Sequence, residues 1–121
     1  MLAIVFSDLG FVGAGVSGQG FIARGITFQN TAGPEGRQAV ALRVNSDQSA
    51  IQSCAVVGFE DSLYTHSFRQ FYKDVYVSGT VDFIFGNAAA VFQNSQLVVR
   101  VDAPGATTST LTAQVRLSPP C

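Results

Sequence analysis

The chain is 121 residues long with a formal net charge of −1, and 47% of it is hydrophobic against 12% charged. That balance excludes intrinsic disorder, which needs little apolar content and much charge, and the length leaves no room for two large domains. With 7 basic against 8 acidic residues there is no cationic surplus to neutralise a phosphate backbone, so no nucleic-acid partner is expected.

The opening run Met1 to Phe6 is too short to span a bilayer, which takes about 20 apolar residues. It also lacks the basic flank and cleavage pattern of a signal peptide, so neither a membrane span nor a leader is expected. Next, Gly13-Ala14-Gly15-Val16-Ser17-Gly18 spells G-x-G-x-x-G. A dinucleotide site would need a helix to open there. The following residues, Gln19 to Phe28, are strand-like and broken by two further glycines, so the stretch reads as a turn between strands.

Short β-rich segments then recur. Phe28-Gln29-Asn30, Ile51-Gln52-Ser53, Tyr72-Lys73-Asp74 and Phe92-Gln93-Asn94 each set a large apolar residue before a long polar one and a turn-former, with a weaker copy near Thr112. The anchors at 28, 51, 72, 92 and 112 are spaced by 23, 21, 20 and 20 residues. Strands of a β-sandwich recur every 8 to 12 residues or so, whereas 20 to 23 is a solenoid spacing. The expectation is an all-β, right-handed parallel β-helix of four to five coils, a section of a longer solenoid, with handedness taken from the rule for parallel crossovers.

If the anchors are equivalent, residues ten places after Phe28, Ile51 and Tyr72 stack in one ladder: Gln38, Asp61 and Asp82. The two carboxylates would then be about 5 Å apart along the backbone ladder. Like charges that close cannot both ionise comfortably, which leaves a protonated acid beside an ionised carboxylate. Asp82 also reads as a charge within an apolar strand, Gly79 to Gly86, an expensive placement unless the charge is paired or used. Asp102 stands at the same offset after Phe92, but Ala103-Pro104-Gly105 follows and a turn is expected.

Other chemistries lack support. His66 is the only histidine and no G-x-S-x-G elbow occurs, so a serine triad is not expected and His66 reads as a surface or rim residue. Cys54 and Cys121 are too few for a disulfide framework, and no cluster has metal-ligand spacing.

Several ordered motifs carry a family likeness: Gly20-Phe21-Ile22-Ala23-Arg24, Ile26 through Pro34, Gln38 through Arg43, Asp61-Ser62-Leu63-Tyr64, and Gly79 through Ala89. Together they resemble plant pectin methylesterases (pectinesterases) from about Gly20 to Arg100, with an echo at Thr112 to Arg116. The resemblance implies a divergent segment 1–19, a partial β-helix of the pectin-lyase-like type over 20–116, and a non-strand tail 117–121. It further implies hydrolysis of methyl esters on galacturonate units of pectin, hence cell wall modification by a secreted protein of the plant wall. The implied partners are methylesterified homogalacturonan and a proteinaceous pectinesterase inhibitor, with no metal or organic cofactor.

On the same basis Asp82 is the nucleophile, Asp61 the acid/base and Gln38 a donor to the oxyanion and substrate, while Tyr64 and Phe85 line a sugar groove. This sequence departs from the family pattern in placing Glu60 where a glutamine oxyanion donor is usual, and Val75 where a cysteine often faces the position of Cys54. The family's upstream substrate-contacting threonine has no counterpart within the first 19 residues, and the later arginine-and-tryptophan motif is not found. Two other readings stay open: a non-catalytic β-helix retaining a polysaccharide groove, and a pectin-cleaving glycosidase, since paired carboxylates also serve retaining glycosidases.

Overall fold

The computed structural model describes residues 2–6, 12–33, 40–101 and 109–114. Within them the chain forms fourteen short strands, all paired in parallel. In order these are β1 (Leu2–Phe6), β2 (Val12–Ser17), β3 (Ile22–Arg24), β4 (Ile26–Asn30), β5 (Val40–Asn45), β6 (Ser49–Gln52) and β7 (Ala55–Val57). Then follow β8 (Leu63–Ser67), β9 (Arg69–Lys73), β10 (Tyr76–Gly79), β11 (Ile84–Gly86), β12 (Ala89–Gln93), β13 (Gln96–Val99) and β14 (Thr112–Gln114).

Every third strand joins the same sheet. The first sheet runs β1-β4-β7-β10-β13, the second β14-β11-β8-β5-β2 and the third β12-β9-β6-β3. Each coil therefore gives one strand to each of three sheets before the chain rises one rung, which makes the fold a right-handed parallel β-helix. Alternation along each strand turns every second side chain inward. Stacked inward positions make the core: Phe28, Val56, Val77 and Leu97 from the first sheet, Leu42, Leu63 and Ile84 from the second, Ala23, Ile51, Tyr72 and Phe92 from the third. Cys54 and Val75 are both buried in that core at one corner, tied by Tyr76 N–H donating to Cys54 O at 3.0 Å.

The register corrects part of the repeat. Ile51, Tyr72 and Phe92 do stack in the third sheet. Phe28 does not join them: it pairs with Val56 in the first sheet, and the residue in register with Ile51 is Ala23, 28 positions earlier. The coil containing Phe28 is longer because nine residues separate β4 from β5, and Asn30, at the end of β4, donates to Val40 O at 3.3 Å and accepts from Ala32 N–H at 2.9 Å. Asn30 itself ends strand β4, whereas Ser53, Asp74 and Asn94 turn the chain with φ of 52°, 53° and 49°. Thr112 is likewise displaced, pairing with Ile84 in the second sheet.

Two further expectations change. Val12–Ser17, which overlaps all but the last residue of the Gly13 to Gly18 stretch read as a turn, is strand β2 paired with β5. The apolar strand expected from Gly79 to Gly86 is two strands, β10 ending at Gly79 and β11 beginning at Ile84, with Asp82 in the corner between them. Gln38, Asp102 and the tail 117–121 lie outside the described residues, and without Phe28 as an anchor the offset that placed Gln38 in the ladder no longer holds.

Candidate functional site

Two successive corners between the first and second sheets carry the acidic residues. The corner after β7 holds Gly58, Phe59, Glu60 and Asp61; the corner after β10 holds Thr80, Val81 and Asp82. They are stitched rung to rung by Thr80 N–H donating to Phe59 O at 3.0 Å, Asp61 N–H to Val81 O at 3.1 Å and Leu63 N–H to Phe83 O at 2.8 Å. The two aspartates therefore occupy the same place on adjacent coils, about 4.8 Å apart along the ladder. Both take left-handed backbone angles, φ 59° at Asp61 and 46° at Asp82, a conformation that aspartate and asparagine tolerate better than other side chains. The rungs close tightly here because residue 79 is glycine: a Cβ would lie 2.2 Å from Phe83 Cβ and 2.6 Å from Phe59 O.

The environments of the pair differ. Asp61 is 8% exposed, whereas Asp82 is half-buried. Burial, then the charge of Glu60, then that of Asp82 push the Asp61 carboxyl up to about 6. A raised acid beside a second carboxylate was the expectation; its main cause is desolvation, with like charge second.

That shift has a consequence for stability. A carboxyl raised from 3.8 to about 6 on folding penalises the native state as soon as the unfolded chain ionises. The penalty is absent below about pH 4, grows as pH rises through 6 and stays constant above it. Discounted for partial solvent screening, it amounts to about 1–2 kcal/mol. Asp61→Asn, which accepts the same backbone angle, is therefore expected to be more stable than the parent at pH 7.5 by about that much and no more stable at pH 4. Urea melts at the two pH values check this, and equal gains at both would contradict it.

Beside the acid pair runs an outward stripe of the second sheet. Arg43, Tyr64 and Phe85 stand in register on three successive coils. The Tyr64 and Phe85 rings stack at 4.3 Å between centroids and 20° between planes, and the Arg43 guanidinium carbon lies 5.7 Å from the Tyr64 centroid. His66 is half-buried with its ring 4.9 Å from that of Tyr64 and its Nδ1 2.8 Å from Ser67 Oγ, at the rim as expected. Tyr64, His66, Ser67, Phe85, Gly86, Asn87 and Ala113 line a groove of about 330 Å³. Aromatic faces flanked by polar groups suit sugar rings, and an acid beside a carboxylate suits proton transfer and nucleophilic attack.

Of the residues expected from sequence, the structure brings Asp61, Asp82 and Glu60 together at one corner of the solenoid, with Tyr64 and Phe85 on the adjoining strands. Arg43 was not foreseen as part of the stripe. Its signal was available, since it precedes Tyr64 by the 21 residues that separate Tyr64 from Phe85 and their neighbours in the second sheet.

A family model described as Pectinesterase matches residues 10–120, extending the likeness toward both ends of the chain. A pectinesterase/pectinesterase inhibitor of Prunus persica, PPE8B, is 58% identical over 104 residues, covering 86% of this chain and 20% of that protein. The structure of pectin methylesterase from carrot superposes with a TM-score of 0.90 at 46% identity, over 98% of this chain and 39% of that one. A pectin methylesterase solved in complex with hexasaccharide VII matches with a TM-score of 0.75 at 32% identity, over 86% of this chain and 36% of that one. The chain spans about a fifth of the length of the curated relatives it matches. With the solenoid, the stacked acid pair and these matches in one place, the chain belongs to the pectinesterase family.

Proposed function

We propose that this chain supplies the reacting groups of a pectin methylesterase, with Asp82 as nucleophile and Asp61 as acid/base. The observation that carries the reading is the stacking of Asp61 on Asp82 at one corner of adjacent coils, with the buried member raised to about 6. Asp82 attacks the ester carbonyl carbon of a methylated galacturonate, and protonated Asp61 gives its proton to the departing methoxy oxygen, releasing methanol. Asp61, now a carboxylate, takes a proton from water as that water attacks the acyl group, which frees galacturonate and regenerates both side chains. The proton for methanol is in place below about pH 6 and is lost as pH rises through that value.

Tyr64 and Phe85 line the sugar groove in this reading, and Gln38 is the amide donor to the negative oxygen of the intermediate. Pectin as substrate is supported by the pectin methylesterase that was solved with a hexasaccharide. The peach relative's name includes pectinesterase inhibitor, which supports a proteinaceous inhibitor as a second partner. The plant cell wall, where methylesterified homogalacturonan lies, is the location proposed on the family's account.

Glu60 marks a specific defect. An oxyanion site needs N–H donors, and an ionised carboxylate has none. Glu60→Gln is expected to raise methanol release on the order of 10²-fold, the usual worth of one such donor. An unchanged or lower rate in a pectin assay would remove Glu60 from the oxyanion position.

Glu60 is also the observation that favours the non-catalytic reading. Incubation of the purified chain with highly methylated pectin separates the readings. Methanol without new reducing ends is the result expected of the esterase, new reducing ends point to a glycosidase, and neither product leaves a sugar-binding solenoid.

A further inference from the structure

The two acidic corners are tied by a residue of a third coil. Val99 pairs with Gly79, and Ser78 pairs with Val57, so Arg100 continues a column that passes Thr80 and reaches Phe59. Its backbone N–H donates to Gly79 O at 2.8 Å, at the start of the Asp82 corner. Its guanidinium passes that coil: Nη1 donates to Gly58 O at 2.9 Å and the guanidinium carbon lies 4.0 Å from the centroid of the Phe59 ring. Gly58 and Phe59 are the residues that lead into Glu60 and Asp61.

We propose that Arg100 is a positioning residue, a clamp across two rungs that holds the Asp61 corner against the Asp82 corner. Asp61 needs such support, because a side chain in the left-handed region persists only where its surroundings determine it. A planar guanidinium suits the task, since it stacks flat on an aromatic ring while donating in its own plane; a lysine ammonium cannot do both.

The charges that act on Asp61 are Glu60 on its own corner and Asp82 on the next coil; Arg100, from the coil beyond, sits at Gly58 and Phe59, and Arg43, from the coil before, at the Tyr64 ring. Charge and clamping predict opposite outcomes. If Arg100 acted as a distant positive charge, removing it would raise the Asp61 carboxyl further. If it clamps, removing it lets the corner swing into water and the carboxyl falls toward its ordinary value.

As a contribution to catalysis the clamp rests on the esterase reading, whereas a carboxyl titration needs no substrate, so the two ideas fail separately. The test is a ¹³C NMR titration of Asp61 in the full chain, comparing the parent with Arg100→Met and Arg100→Lys. In both variants the midpoint is expected to fall from about 6 to about 5, with the core methyl spectrum retained. A midpoint that rises or stays in the methionine variant, or that lysine restores, overturns the clamp. Should the methionine variant not fold, Phe59→Leu removes the ring beneath the guanidinium and leaves the cation. A fall of the midpoint there supports the clamp, and an unmoved midpoint refutes it.

Discussion

Replacing Asp82 with asparagine is expected to abolish methanol release from highly methylated pectin, a loss of about 10⁴-fold or more if Asp82 makes the covalent bond. Asparagine keeps the size and hydrogen-bonding shape of the side chain and tolerates the φ of 46° that residue 82 adopts, so the corner itself should survive. The amide lacks the charge that attacks the ester. A thermal melt alongside the assay separates the two effects: unchanged stability with lost methanol assigns Asp82 to chemistry, and undiminished methanol release removes it from the nucleophile's place. Asp61→Asn should also suppress turnover but, unlike Asp82→Asn, should raise stability above pH 6, because it removes a carboxylate that the fold keeps largely from water.

Gly86→Ala is expected to cost about 3–5 kcal/mol of stability, the largest structural effect of a single methyl group in the groove. Gly86 has φ +128°, a region closed to side chains, and a Cβ there would sit 1.9 Å from Thr65 O and 2.6 Å from Thr65 C on the preceding coil. Thr65 O cannot yield easily, because it already accepts from Ala88 N–H at 3.2 Å while Thr65 Oγ1 donates to Phe85 O at 3.1 Å. Gly86 also follows Phe85, so a shift there would move the ring that stacks on Tyr64. A fall in Tm of about 10–20 °C is the expected reading for a chain of this size. Gly20→Ala is the comparison, since it shares a positive φ of +75° but has no atom within 4 Å of its Cβ position. It should lose only about 1 kcal/mol, and equal losses at the two glycines would contradict the close approach of the rungs.

The solenoid was legible because its later coils are regular. Ile51, Tyr72 and Phe92 are spaced by nearly the same number of residues and do stack, and Asp61 and Asp82 are related by the same rung length. Legibility failed at the longer coil. Phe28 matches the anchor pattern locally, but local pattern cannot tell which of three similar sheets a strand joins, and an extended connection changes the count without changing the look of the strand. The glycine-rich stretch failed for a related reason: Val12–Ser17 is held in β2 by pairing with β5, and tertiary pairing overrides the weak strand preference of glycine.

At the site, residue types and spacing showed which carboxylates pair, yet not which one is buried. The 8% exposure of Asp61 depends on the neighbouring rungs, and so does the dominance of desolvation over charge in raising it. Arg100 was invisible for the same reason, and Arg43 showed only in its 21-residue spacing from Tyr64. Neither lies near the aspartates in sequence, and each reaches its place only through the columns that the coils create.

The division of labour between two stacked carboxylates is the core of the proposed chemistry, and it makes one number decisive. Asp61, observed through its own ¹³C carboxyl resonance in the unmodified chain, should titrate with a midpoint of about 6. A midpoint near the ordinary aspartate value of about 4 would leave Asp61 almost wholly ionised at pH 6, where about half of it should still carry the proton for the methanol oxygen, and would contradict the acid/base role assigned to it.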